Sequence, residues 1–131
     1  ACLLPFTPSV LENDEFPLQP LEAIKTGKYN KVPLLLGTNA GDAILFVGCG
    51  KGNVSATEYT AGIDLAFGSH GHAVNKAYPA TKGADAKPVL SHMTTDFFFR
   101  CPSRALATGA SENTPVFMYE FDHALPFNIF N

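Results

Sequence analysis

The run Val32-Pro33-Leu34-Leu35-Leu36-Gly37-Thr38-Asn39 constrains the fold more than any other part of the chain. Three consecutive leucines end at a Gly-Thr-Asn turn, and an acid, Asp42, follows five residues after the glycine. A short, wholly apolar segment bounded by Pro and Gly suits a strand buried on both faces, here Lys31 to Gly37. A carboxylate just past the carboxyl end of such a strand stands where open α/β sheets keep their chemistry.

The remaining elements are read from caps and breakers. Phe6 to Pro20, with its prolines and acids, is an extended surface connection, and Leu21 to Lys25 a short helix stopped by Thr26-Gly27. Ala43 to Val47 leaves the acid turn as the start of a helix, and Gly48 to Asn53 is a glycine-rich turn. Ser55-Ala56-Thr57-Glu58 is a capping box that opens a helix from about Ala56 to Phe67, ending at Gly68. A second helix spans His72 to Tyr78 and stops at Pro79, followed by a polar loop from Thr81 to Ala86. From Pro88 to about Thr108, Val89, Met93, Phe97, Cys101 and Ala105 recur at helical spacing, and Pro102 should kink or divide that helix. Pro115 to Phe121 is aromatic and β-branched, a second strand. Strand, helices, strand is a βαβ crossover of the right-handed kind, so the fold class is α/β with two parallel strands. Two parallel strands are few for a sheet that needs both faces covered, which favours a slice of a larger sheet over an unusual small core.

At 131 residues the chain is one domain or less, and 46% hydrophobic against 16% charged residues exclude disorder. A net charge of −3, with nine scattered Lys and Arg, leaves no footprint for nucleic acid. No apolar run approaches the ~18 residues of a membrane span. Ala1 to Pro5 lacks a basic n-region and a full apolar stretch and is not read as a signal peptide. Cys2, Cys49 and Cys101 form no CxxC pair and read as buried or free thiols. Asn53-Val54-Ser55 is an N-glycosylation sequon.

Gly37-Thr38-Asn39-Ala40-Gly41-Asp42-Ala43-Ile44-Leu45-Phe46 resembles the acid-bearing loop of the type-B carboxylesterase/cholinesterase family, roughly G-x-N-x-D-E-G-x-x-F. The resemblance runs from about Phe6 to about His123 and includes Phe99-Arg100-Cys101-Pro102 (F-x-C-P) and Phe121-Asp122-His123 (F-x-H). It implies a partial α/β-hydrolase fold, its two strands being the last two major strands of that sheet. It also implies descent from a serine carboxylic ester hydrolase acting on a small-molecule ester through an acyl-enzyme, with no metal or organic cofactor. Asp42 falls on the catalytic carboxylate. It is an Asp where Glu is usual, with Gly41 in place of Asp and Ala43 in place of Gly. In many secreted members the F-x-C-P cysteine is bridged to a partner near their own C-terminus. With the sequon, this implies for Cys101 a secreted or endomembrane-lumen setting. His123 resembles the non-catalytic histidine of F-x-H. Such an enzyme needs a nucleophile on a Gly-x-Ser-x-Gly elbow and a histidine base. No such elbow is present: Gly109-Ala110-Ser111-Glu112-Asn113 fails at its fifth position. The whole chain, 1–131, is therefore expected to be a C-terminal-side fragment of a carboxylesterase-like domain, inactive alone and prone to self-association.

Three other readings compete. Some members of this superfamily are catalytically dead adhesion or binding proteins, such as neuroligin-like ectodomains, and the changes around Asp42 are compatible with that loss. Ile44 to Asn53, followed by Gly62-Ile63-Asp64, resembles the glycine-rich motif of S-adenosylmethionine-dependent methyltransferases, although the spacing leaves no room for the helix and strand required before the acid. Ser69-His70-Gly71-His72 has the ligand type but not the partners of a metal site, and His92 reads as a surface or interface residue of its helix.

Overall fold

A computed structural model describes residues 13–48 and 52–123. The order of elements is α1 (Pro20–Lys25), β1 (Leu34–Asn39), α2 (Ile44–Gly48), α3 (Ala56–Phe67), a 3₁₀ turn (Gly68–His70), α4 (Gly71–Ala77), α5 (Lys87–Thr95), a π-helical stretch (Asp96–Arg100), α6 (Cys101–Ser111) and β2 (Val116–Phe121). The described residues divide into two compact units, one holding residues 41–48 and 52–99 and the other residues 13–40 and 100–123. Cys2 and Cys49, the segment from Phe6 to Glu12 and the centre of the glycine-rich turn lie outside the described residues.

The second unit carries the sheet. β1 and β2 pair in parallel, with Leu34 opposite Val116 and Asn39 opposite Phe121. The ladder opens with the Leu34 N–H donating to the Pro115 carbonyl and closes with the Ala40 N–H donating to the Phe121 carbonyl, both at 3.0 Å. The strand thus starts three residues later than Lys31 and runs two beyond Gly37. Pro33 has no N–H to give the ladder, and the Val32 N–H turns back to Asn30. Gly37 does not end the strand because the Tyr119 ring lies directly over it, filling the space where a Cβ would stand. An aromatic cover of this kind keeps a glycine compatible with a ladder. α6 packs on both strands and α1 packs on α6. That close approach uses Gly109, whose missing Cβ leaves room for the Ile24 side chain, and the Tyr29 hydroxyl donates to the Ala110 carbonyl at 3.2 Å. Arg100, the residue before α6, donates to the carboxylate of Glu120 in β2. The expectation of a strand buried on both faces does not hold within this chain: Leu35 is 74% and Phe117 63% exposed. A two-stranded sheet has too little of its own chain to cover both faces.

The first unit carries the apolar core, centred on Tyr59 and Ile63 of α3, Ala86 just before α5 and Met93 of α5, with Val74, Val89 and Leu90 packed around them. α3 starts where the capping box places it. The Ser55 hydroxyl accepts the Glu58 N–H at 3.2 Å, and the Glu58 carboxylate accepts the Ser55 N–H at 2.9 Å. The Ser55 hydroxyl also donates to the Glu58 carboxylate at 2.7 Å, and this bond, followed by that from the Ser55 N–H, holds the Glu58 carboxyl below the usual range. α3 ends at Gly68, whose φ of 53° is left-handed. α4 then turns back on α3. At Gly71 an added Cβ would stand 2.7 Å from the Asp64 Cα, so only glycine admits this crossing. Asp85 fastens the start of α5: its carboxylate accepts the N–H groups of Val54 at 2.9 Å and Lys87 at 3.1 Å, which together hold its pKa down.

The long helix expected from Pro88 to Thr108 is three pieces. α5 stops at Thr95, five residues form π turns, and α6 begins at Cys101 with Pro102 in its first turn. Pro102 cannot donate back into the preceding turn, and the wider π winding absorbs that break. Phe97, the second residue of the π stretch, is 52% exposed and meets the Phe67 ring edge-on.

Candidate functional site

Residues 40–43 form the turn between the last ladder bond at Ala40 and the first turn of α2, and Asp42 lies half-buried within it. The local backbone is set by short-range bonds: the Ile44 N–H donates to the Gly41 carbonyl at 3.1 Å, and the Phe46 and Val47 N–H groups both donate to the Ala43 carbonyl at 3.0 Å. Gly41 has a steric reason to be glycine. A Cβ there would run into the Ile44 side chain, whose Cγ1 is 3.1 Å away. Ala43 is fully buried, and its N–H donates to the Thr95 hydroxyl oxygen at 3.0 Å. One turn after Asp42, the Phe46 ring stacks on Phe99 with centroids 6.1 Å apart and planes within 4°.

The histidines are spread over the two units. His70 ends the 3₁₀ turn, His72 lies in α4, and both are exposed. His92 is on the exposed side of α5, with its Nε2 3.6 Å from the Asp96 carboxylate and its ring edge-on to Tyr78. His123 follows β2 and contacts the Phe121 ring at 6.3 Å. Among the described residues no three His, Cys, Asp or Glu side chains gather as a metal set, and no helix is long and apolar enough to cross a membrane. Cys101 is an exposed free thiol at the start of α6.

The glycine-rich motif lacks the setting that a nucleotide-type ligand needs. Ile44–Gly48 is helical where a strand should precede the turn, and Gly62-Ile63-Asp64 lies inside α3 rather than at a strand end. The methyltransferase reading is withdrawn on that ground. A groove of about 400 Å³ runs along α3 and α5, walled by Tyr59, Ile63, Phe67, Leu90, Met93 and Phe97. Its lining is mainly apolar, and the one carboxylate on it, Glu58, is engaged by Ser55 in the capping box.

Two arrangements near the acid turn were not read from the sequence. One is the Thr95 bond to Ala43. The other is the Tyr78 hydroxyl donating to the Asp96 carboxylate at 2.7 Å, while the Tyr59 hydroxyl donates to the Tyr78 carbonyl at 2.9 Å. The available signal was Thr94-Thr95-Asp96, a polar triplet interrupting an apolar helix.

Comparison with known proteins gives these features a context. A model of the carboxylesterase family matches residues 1–129. The cAMP-regulated D2 protein of Dictyostelium discoideum is 31% identical over 118 residues, covering 87% of this chain and 22% of the relative. The crystal protein of the same organism is 34% identical over 112 residues, 82% of this chain and 20% of the relative. The para-nitrobenzyl esterase of Bacillus subtilis strain 168 is 32% identical over 123 residues, 89% of this chain and 23% of the relative. The chain thus spans between 20% and 23% of the length of these relatives. With helices and two parallel strands and a family match over nearly its whole length, the chain belongs to the carboxylesterase family.

Proposed function

We propose that residues 1–131 are part of a serine carboxylic ester hydrolase and contribute its acid-bearing turn. The observation that supports this most is Asp42: half-buried, three residues past a parallel strand, in the family's G-x-N-x-D-E-G frame. In such an enzyme a serine hydroxyl attacks the ester carbonyl as a histidine takes its proton. The alcohol leaves with that proton, and water then cleaves the acyl-serine. Asp42 accepts the second N–H of the imidazole, fixes its tautomer and stabilises its cation. The serine and the histidine base come from parts of the parent protein other than this chain. An Asp in place of Glu shortens the reach by one methylene, and the Gly41–Ile44 packing gives the turn a shape of its own.

The test is hydrolysis of p-nitrophenyl acetate by the parent protein, with and without a serine-directed phosphonate. Turnover that the phosphonate abolishes is the expected result. Absence of turnover in a folded parent supports the second reading, a non-catalytic cholinesterase-like binding protein, which the three departures around Asp42 favour. The 131-residue chain made alone gives no product burst, and its exposed Leu35 and Phe117 drive self-association. A monomeric, active chain would contradict both statements. A secreted or lumenal setting is the reading supported by the family resemblance, the F-x-C-P position of Cys101 and the exposed Asn53 of the sequon. It requires that enzymatic removal of N-glycans from the parent shift its mass and that Asn53→Gln abolish the shift.

A further inference from the structure

We propose that Thr95 is a positioning residue for Asp42: its hydroxyl fixes the peptide that joins Asp42 to Ala43. The inference rests on Asp42 being the triad acid. The amide concerned is that of Ala43, just ahead of the first residue of α2. Amides at a helix start have no partner within the helix, and Ala43 is fully buried, so water cannot supply one. The Thr95 oxygen, 3.0 Å away on a residue 52 positions along the chain, is the acceptor.

Thr95 is itself held. Its side chain is fully buried at the last position of α5. The next residue, Asp96, accepts the Tyr78 hydroxyl at 2.7 Å, and Tyr78 is tied through its carbonyl to the buried Tyr59 of α3 at 2.9 Å. The acceptor is therefore anchored to the core of α3, α4 and α5, and the bond transmits that rigidity to the backbone on the carboxyl side of Asp42. Gly41 leaves the turn without the acidic side chain that the family frame carries there, so an anchor outside the turn has more to hold. A catalytic group displaced by about 1 Å loses on the order of 10²-fold in rate. An unpaired buried amide is reason enough for the turn to shift.

The experiment uses the parent protein with Thr95→Val, which keeps the shape and removes the acceptor, and Thr95→Ser, which keeps the acceptor. Active sites are counted by end-point phosphonate titration, so rates are per competent site. The expected result for Thr95→Val is a kcat lower by about 10- to 100-fold with KM nearly unchanged. The acid limb of its pH profile for kcat/KM moves to lower pH, because a displaced Asp42 raises the histidine pKa less. Thr95→Ser restores both. A merely structural threonine would lower the number of titratable sites and leave the per-site kcat and the acid limb alone. That outcome, or Thr95→Ser behaving like Thr95→Val, overturns the inference. If Thr95→Val does not fold, Thr95→Cys, with a poorer acceptor of similar shape, is measured and read in the same way. Asp42→Asn is measured in parallel. If it leaves turnover intact, the triad-acid reading falls; if it abolishes turnover while Thr95→Val matches wild type, only the role of Thr95 falls.

Discussion

Asp42→Asn in the parent protein lowers kcat for p-nitrophenyl acetate by about 10⁴-fold and leaves KM close to its original value. The amide is the same size as the carboxylate, so the turn from Ala40 to Ala43 and its bond to Thr95 persist. What changes is the partner offered to the histidine. An amide can present an N–H where the imidazole N–H must be accepted, favouring the wrong tautomer, and it offers no charge to the imidazolium that forms as serine attacks. Both effects act in the transition state, which is why kcat carries the loss. Stopped-flow measurement of the acylation burst places the defect on the acylation step. A variant with more than about a tenth of wild-type kcat would remove Asp42 from the triad.

Ile63→Ala destabilises the unit of residues 41–99 by about 2–4 kcal/mol, the usual cost of emptying a buried aliphatic site. Ile63 is 3% exposed and sits between Tyr59, Ala86 and Met93, so no polar contact confounds the loss of packing. Collapse around the cavity is restricted on one side. α4 is already held against α3 at the closest approach that Gly71 permits, and the Asn75 amide is bonded to Asp64 at 2.9 Å. Hydrogen exchange on the parent is the readout, with protection in peptides from α3 and α5 falling by about 30- to 1000-fold. Ile63→Val, which leaves most of the volume filled, costs about 1 kcal/mol. Equal protection in Ile63→Ala and wild type would mean that this cluster does not hold the unit together.

The elements read most clearly from the sequence are those whose signals are local. The Ser55–Glu58 capping box started α3 at the expected residue, Gly68 stopped it, and the apolar run before Gly37 paired in parallel with the aromatic segment after Pro115. Where the reading went astray, the cause lay in residues distant along the chain. Gly37 reads as a stop because a glycine usually is one, but the Tyr119 ring from the other strand covers it and lets the ladder continue to Ala40. The stripe from Val89 to Ala105 was read as one helix because i+4 spacing is blind to winding. Pro102 signals a break, but no local pattern announces the π turn that precedes it. At the site, Asp42 is proposed from the family frame and from its place after the strand. Thr95 has no such signal, since nothing local in Thr94-Thr95-Asp96 says that its hydroxyl meets an amide 52 positions earlier. Gly41 was seen as a departure from the frame, and its reason, the Ile44 side chain filling the space, emerged only from the fold.

The most direct test of the role given to Asp42 is a crystal structure of the parent protein with a phosphonate on its serine, a state in which the histidine carries its proton. The account predicts the Asp42 carboxylate about 2.7–2.9 Å from the imidazole nitrogen that faces away from the serine, the separation of a charge-assisted hydrogen bond. A histidine paired with another carboxylate, with Asp42 turned to solvent, would contradict it.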